Sequence, residues 1–368
     1  MQPGPEHHGS PPRPPVAVGF RAVSEAQPGP RWRRIFDAGW PGWSAWLGAR
    51  GGGPAELARA ERALRRFMPE LAPVWERLVG IAGGDPRAAR FLTFWSPPLY
   101  LLHCSQATLV DDDGPALIRN YDLDPALNEG VLLRSAWLGR DVAGMVEGLS
   151  GLADGMNGAG LAVSLAFGGR PAIGPGFGVP LILRYVLEVC RDTPDALEAL
   201  RALPCHMSYN LAIIDRDGRC ATAMLAPDRP AIVTRAACST NHQLGVEWPR
   251  HGRDTRTLER LACLEAALAE PGVDVAALRA RFLAPPLHSR RYGAGFGTVY
   301  TATYRPAAGS VELAWPGLAP WRQRLDRFAE GERRILFADE ALPVEAPAEG
   351  RAALPAAAPG PIERNAHP

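Results

Sequence analysis

In the stretch "PAELARAERALRRFMPEL", Leu57, Ala60, Leu64, Phe67, Met68 and Leu71 recur at the three-and-four spacing of one helix face. Residues 31–103 share this texture, and Gly83 and Gly84 close the next helical run. After Cys104 the pattern changes. "DDDG" (111–114), "DRDG" (215–218) and "PAAG" (306–309) each separate short strand-forming runs, as hairpin turns do. Helical patterns interrupt them at "VPLILRYVLEVC", at a run capped by Thr193-Pro194 that continues through "DALEALRAL", and at "TRTLERLACLEAALAE". This alternation of blocks predicts an α+β fold, with antiparallel sheets covered by helices rather than a parallel βαβ sheet. Residues 1–30 are Pro-rich and residues 341–368 are Ala/Pro-rich, so neither end is expected to bury enough apolar surface to offset its ordering entropy. The expected organisation is a disordered end at each side, a helical segment over 31–103 and a main domain over 104–340.

Composition narrows the chemistry. The 368 residues are 46% hydrophobic and 21% charged with a formal net charge of +1, which gives no electrostatic reason to expect nucleic acid or an acidic membrane as partner. All 40 residues counted as Lys+Arg are arginines, so a Schiff-base lysine, a pyridoxal phosphate anchor and a P-loop lysine are excluded. The six cysteines form no CxxC pair and no zinc-like group with histidine, and neither a metal nor another cofactor is called for. Residues 1–15 lack the apolar centre of a secretory signal, and no run of 18 apolar residues follows. A cytoplasmic chain with reduced thiols and no membrane span is the expectation, and self-association stays open.

The stretch "LYLLHCSQATLVDDDGPALIRNYDLD" (99–124) carries the candidate nucleophile. A three-residue turn would pair Cys104 with Asp122, and a two-residue Asp113-Gly114 turn would pair Ser105 with Asp122. Both return Asp122 to the cysteine. Arg119, three residues earlier, points to the opposite face in a straight strand, so a bend near Asn120-Tyr121 is needed for both to meet the thiol. The carboxylates at 111–113 read as a solvated turn, because three consecutive side chains do not converge on one ion. An isolated cysteine is most often a small buried hydrophobe, so the hairpin alone does not make Cys104 reactive.

"CSQATLVDDDGPALIRNYDLD", "LADGMNGAGLAVSLAFGG" and "CSTNHQ" followed by "RDTRTLERL" occur in an order that resembles the choloylglycine hydrolase and penicillin V acylase family. The long segment before the cysteine is similar to the self-processing relatives, the acyl-coenzyme A:6-aminopenicillanate acyltransferases and acid-ceramidase-like amidases. All are N-terminal-nucleophile hydrolases, so the resemblance implies a four-layer αββα sandwich. It further implies cleavage of the His103-Cys104 bond, giving an α chain and a β chain that begins with Cys104. The new α-amine, with a reference pKa of about 7.7–8.0, would serve as base to the thiol. By the same resemblance Arg119 would depress the thiol's pKa, Asp122 would hold the new amine, Asn241 would be the oxyanion-hole amide and Arg256 the second active-site arginine.

Arg256 also stands, with Asp254 or Thr255 as cap, in a helix first turn where a cation is disfavoured. Asn241 competes with Asn210 and with Asn157, which precedes a glycine and has a turn role of its own. Many bile-salt hydrolases carry asparagine where this chain reads Leu165-Ala166-Phe167, so the Ala166 backbone N–H is the expected second oxyanion donor. The implied activity is hydrolysis of a linear N-acyl amide, or acyl transfer from a thioester, through an acyl-Cys104 intermediate. Two other readings stand beside it. One is a papain-like hydrolase pairing Cys104 with His242 or His206. The other is a non-catalytic binding or structural member that stays uncut, with residues 31–103 capping the site. The Gly/Pro-rich stretch 165–180 reads equally as a substrate-gating loop or a plain connection.

Overall fold

The strand-forming runs after Cys104 build two stacked sheets in this computed structural model, which describes residues 14–48, 53–99, 101, 103–339 and 341–346. The larger sheet contains β1 (Val16–Ser24), β4 (Val131–Ser135), β5 (Val142–Glu147), β6 (Gly151–Asn157), β7 (Leu161–Phe167), β8 (Tyr209–Asp215), β9 (Cys220–Ala226), β10 (Arg229–Thr234), β16 (Gly331–Ala338) and β17 (Ala341–Glu345). Their order is β10-β9-β8-β7-β6-β5-β4-β1-β16-β17. The smaller sheet runs β11 (Cys238–Ser239), β2 (His103–Asp111), β3 (Gly114–Leu123), β13 (Phe296–Arg305), β14 (Ser310–Ala314), β15 (Trp321–Arg324), with β12 (Arg290–Arg291) beside β13. Among the described residues every ladder is antiparallel except β1 with β4.

Helices α1 (Pro30–Leu47), α2 (Pro54–Phe67), α3 (Ala72–Ile81) and α4 (Pro86–Leu92) form the N-terminal segment. Helices α5 (Val179–Val189) and α6 (Thr193–Ala202) lie on the larger sheet, against β6, β7 and β9. A short α7 (Pro249–Asp254) leads into α8 (Thr257–Leu268), which with α9 (Val275–Phe282) covers the smaller sheet at β2, β3, β11 and β13. Strands β2 and β3 in turn pack on β7 and β8. The result is helix, sheet, sheet, helix, the four layers that the resemblance implies. Along β3 the period of two divides the core: Leu117 and Tyr121 join the cluster between the sheets, while Ala116 and Ile118 join Leu264, Leu278 and Phe282 beneath the helices.

The expected boundaries need correction at both ends. Residues 16–24 are not a free end but a strand between β4 and β16, because Val18, Phe20 and Ala22 alternate inward from an otherwise Pro-rich region. Residues 341–345 add an edge strand; residues 1–13 and 347–368 lie outside the described residues. Helix α6 is capped by Asp192, whose side chain accepts from Asp195 N, rather than by Thr193.

The helical segment docks through aromatic side chains. Trp32 Nε1 donates to Leu149 O (2.9 Å), Trp43 Nε1 donates to Glu129 Oε1 (2.6 Å), and Tyr185 donates to Glu70 Oε2 (2.9 Å). Trp43, Trp46 and Phe94 meet Glu147, Met207 and Tyr209 around a small enclosed apolar gap. The 168–178 stretch is pinned on both sides, by bridges from Phe177 to Trp95 and Cys205 and from Ile173 to Met207, as a held connection would be.

Candidate active site

The turn of the β2–β3 hairpin sets the site. Asp111 pairs with Gly114, so the two-residue loop is Asp112-Asp113, and Gly114 takes the positive φ (+98°) that only glycine adopts at no steric cost. Both expected registers are therefore off: Cys104 pairs with Tyr121, and Asp122 pairs with His103. Side chains opposite one another share a face. Cys104 and Arg119 consequently lie together on the inter-sheet face, and Asp122 lies with His103 on the helix face. No bend is needed.

On the inter-sheet face Arg119 Nη2 donates to Cys104 Sγ at 2.7 Å. Its Nη1 donates to Ala153 O (2.8 Å) and to Asp154 Oδ2 (2.7 Å), and its guanidinium lies over the Tyr121 ring. Asp154 also accepts from Tyr300 (2.7 Å) and from Tyr304. Arg119 and Asp154 are both fully buried, so the ion pair depends on these hydroxyls and carbonyls to complete its hydrogen bonding. Cys104 is also fully buried, and burial pushes its thiol up to about 11 although Arg119 opposes the shift. Arg119 acts in the expected direction, lowering the thiol, and in the intact chain desolvation outweighs it.

The other faces of Cys104 are held by Asn241 and Arg260. Strand β11 pairs with β2 at Cys238 and Ser239, and its continuation carries Asn241 to the Cys104 backbone. Cys104 N donates to Asn241 Oδ1 (3.2 Å), and Asn241 Nδ2 donates to Phe167 O (3.0 Å). Arg260 Nη1 donates to Cys104 O and Ser105 Oγ (both 2.9 Å), and its Nη2 donates to Asn241 Oδ1 (2.6 Å). Arg260 Nη1 also lies 3.7 Å from Asp122 Oδ2. Asp122 accepts from Thr298 Oγ1 (2.7 Å), and burial raises its carboxyl to about 6 against the pull of Arg260 and Thr298. Gly169, at φ +67°, makes room for this arrangement: a Cβ there would sit 2.1 Å from Asn241 O.

Cys104, Arg119, Asp122 and Asn241 are thus brought together, and Ala166 sits in β7 next to Phe167, the residue that accepts from Asn241. Arg256 makes no hydrogen bond to the nucleophile, although it lines the cavity beside His103 and Asp122. It takes a left-handed conformation (φ +51°) ahead of α8 and pairs with Glu259, with both side chains about half exposed. The arginine on the nucleophile is Arg260, one turn further on. Asn157 serves its turn, accepting from Ala159 N and Leu161 N. Asn210 Nδ2 donates to Thr240 O and His242 O, clasping the peptide on each side of Asn241. His242 Nδ1 bonds Thr257 Oγ1 (2.9 Å) and His206 Nδ1 bonds Gly174 O, and among the described residues neither ring hydrogen-bonds the Cys104 thiol.

Beside His103 and Asp122 a cavity of about 450 Å³ opens to solvent, lined also by Arg260, His288, Arg291 and Phe296. Among the described residues no group of acidic, histidine or cysteine side chains is arranged to hold a metal, and no helix is long and apolar enough to cross a membrane.

Residues 109–319 match the family described as acyl-coenzyme A:6-aminopenicillanic acid acyl-transferase, a span that begins just past Cys104 and includes Arg119, Asp154, Asn241 and Arg260. Among solved structures the chain is similar to a mutant of conjugated bile acid hydrolase from Clostridium perfringens, at 12% identity over 62% of this chain and 96% of that one, with a TM-score of 0.40. Penicillin V acylase from Agrobacterium tumefaciens shares 13% identity over 63% and 90% of the two chains, with a TM-score of 0.40. A Caenorhabditis elegans ortholog of N-acylethanolamine-hydrolyzing acid amidase shares 16% over 55% and 93%, with a TM-score of 0.41. No curated protein matches the chain.

Proposed function

The chain belongs to the acyl-coenzyme A:6-aminopenicillanic acid acyl-transferase family, and on that premise we propose that it is a cysteine N-terminal-nucleophile amidohydrolase or acyltransferase that frees its own nucleophile by cutting between His103 and Cys104. The observation that carries this reading is the 2.7 Å contact of Arg119 Nη2 with Cys104 Sγ, beside an Asn241 that meets the nitrogen of the scissile peptide. In the precursor, Cys104 Sγ gives up its proton and bonds to the His103 carbonyl carbon. The C–N bond breaks and the nitrogen takes a proton to become an amine. Water then hydrolyses the thioester, leaving a carboxylate on His103 and a free thiol on Cys104.

The same atoms serve the second reaction. The new amine lies where Cys104 N now faces Asn241 Oδ1, with Asp122 across the hairpin, and can take the thiol proton near neutral pH. The thiolate attacks the carbonyl of an N-acyl amide or an acyl thioester, and the acyl-Cys104 formed is resolved by water or by an acceptor amine. Arg119, anchored on Asp154, stabilises the thiolate. Asn241 and the backbone N–H of Ala166 are the assigned oxyanion donors, each typically worth about 10²–10³ in rate. In the uncut chain the thiol is fully buried and out of reach of an external substrate, so its first reaction is with the adjacent His103 carbonyl.

Intact mass of the purified chain over time tests the proposal, together with a panel of N-acyl amides and acyl thioesters. Two fragments separated before Cys104, absent in Cys104→Ala, are expected with activity that follows cleavage. A single uncut chain whose thiol stays unreactive and which turns over none of the panel would overturn it.

A further inference from the structure

The side chain before the scissile bond is not loose. His103 is almost wholly buried among linked rings: Phe296 with centroids 4.2 Å apart and tilted by 59°, His251 at 5.2 Å and nearly parallel, and Trp248 stacked on His251 at 5.2 Å. Phe167 meets His251 edge-on at 5.1 Å. The linked rings therefore reach the residue whose carbonyl oxygen accepts from Asn241, and Asn241 in turn meets the scissile nitrogen. The carbonyl side of the scissile bond is fixed through the rings and its nitrogen side through Asn241, and the two supports meet at Phe167.

The imidazoles take part as rings rather than as hydrogen-bonding groups. His103 Nδ1 and both ring nitrogens of His251 have no hydrogen-bond partner among the described residues. Burial, reinforced by Arg260, keeps both rings uncharged near neutral pH, with His251 lowered to about 4. Stacked and edge-on contacts between neutral rings hold an orientation as well as burying area.

We propose that Phe296 and His251, backed by Trp248 and Phe167, are positioning residues for self-cleavage, clamping the ring of His103 so that its carbonyl carbon is held against Cys104 Sγ. This rests on the self-processing reading above. Orientation of a reacting carbonyl contributes directly to rate, because a misplacement of about 1 Å is enough to cost about 10²-fold.

The test is the rate of appearance of the chain beginning at Cys104, followed by intact mass for the full-length wild type, His103→Phe, His103→Leu, His103→Ala and Phe296→Ala, with thermal melting run in parallel. His103→Phe keeps the ring and is expected within about threefold of the wild type. His103→Leu, His103→Ala and Phe296→Ala are expected at least tenfold slower, equivalent to about 1.4 kcal/mol of barrier. His103→Leu carries the comparison if the smaller residue unfolds the chain. Wild-type rates for His103→Leu and Phe296→Ala, or a His103→Phe rate as low as that of His103→Ala, would overturn the clamp while leaving self-processing intact. A wild type that never cleaves would overturn both.

Discussion

Replacing Arg260 by Met is the sharpest probe of how the site is built. The side chain keeps most of its length, and the guanidinium is lost. Four acceptors each lose a donor at once: Thr255 O, Cys104 O, Ser105 Oγ and Asn241 Oδ1, the last keeping Cys104 N. Asp122 loses the cation 3.7 Å away, so its carboxyl, already at about 6, moves further up. Arg260 is only 4% exposed, so water does not readily replace those bonds. Removing one member of such a buried network costs about 3–5 kcal/mol. For a chain of this length that corresponds to a fall in melting temperature of roughly 4–7 °C. Freed of Arg260, Asn241 no longer holds the scissile nitrogen in place, and self-cleavage is expected to slow by at least about 100-fold.

Arg256→Met is the control. Its exposed pair with Glu259 is worth at most about 0.5 kcal/mol, so melting and cleavage should stay close to wild type. Calorimetry and a mass time course on the two variants give the comparison. Arrested cleavage in Arg256→Met with a near-normal Arg260→Met would refute the assignment of the second arginine.

Two further outcomes follow from buried carboxylates. Burial raises Glu129 to about 7 against hydrogen bonds from Trp43 and Leu149, so folding favours its protonated form, and the stability this confers is lost as pH climbs from about 4.5 through 7. The stability difference between Glu129→Gln and wild type should move in the variant's favour by about 3 kcal/mol between pH 4 and pH 8; a constant difference in urea unfolding would contradict this. Asp154→Asn keeps the shape of the side chain but leaves Arg119 as a buried charge without a carboxylate, which should cost about 3–5 kcal/mol and slow cleavage. Unchanged unfolding and cleavage would show that Ala153 O and the Tyr121 ring suffice to hold the arginine.

Much of the fold was legible because its elements are locally consistent. The three-and-four spacing of Leu57 to Leu71 is realised in α2 and the short 3₁₀ turn after it, and the acidic turn does fold β2 onto β3. Strand β1 was missed because a Pro-rich composition around residues 1–30 hid a clean alternation over Val18, Phe20 and Ala22. Arg256 was assigned by the resemblance, with added support from its expected place in the first turn of a helix capped by Asp254 or Thr255. The helix begins at Thr257, and Arg256, in a left-handed conformation, falls outside its periodicity. Asp154 was within a quoted motif but had no assigned task, since Arg119, Tyr300 and Tyr304 are more than thirty residues away in sequence. A carboxylate inside a fully buried strand was the available cue. His251 and Phe296 gave no local cue, because their partner is His103.

The hairpin register decides how the two halves of the chemistry are divided. A slip of one residue moves every side chain of a strand to the other face. With Asp111 opposite Gly114, the thiol, Arg119 and Asp154 lie in the dry layer between the sheets, and His103, Asp122 and Arg260 lie on the helix side, beside the open cavity. Had the three-residue turn formed, Asp122 would share the layer of the thiol and Cys104 would turn away from Arg119, whereas the Asp113-Gly114 register, two residues from the observed one, would keep the same division of faces. The observed pairing instead separates a low-dielectric layer that keeps the thiol protonated from a polar layer that holds the peptide to be cut. Strand β2 runs between them, so the bond from His103 to Cys104 joins a residue of one layer to a residue of the other. That separation accounts for a nucleophile that is shielded from external substrates while the chain is intact and yet adjacent to the bond it is proposed to cut.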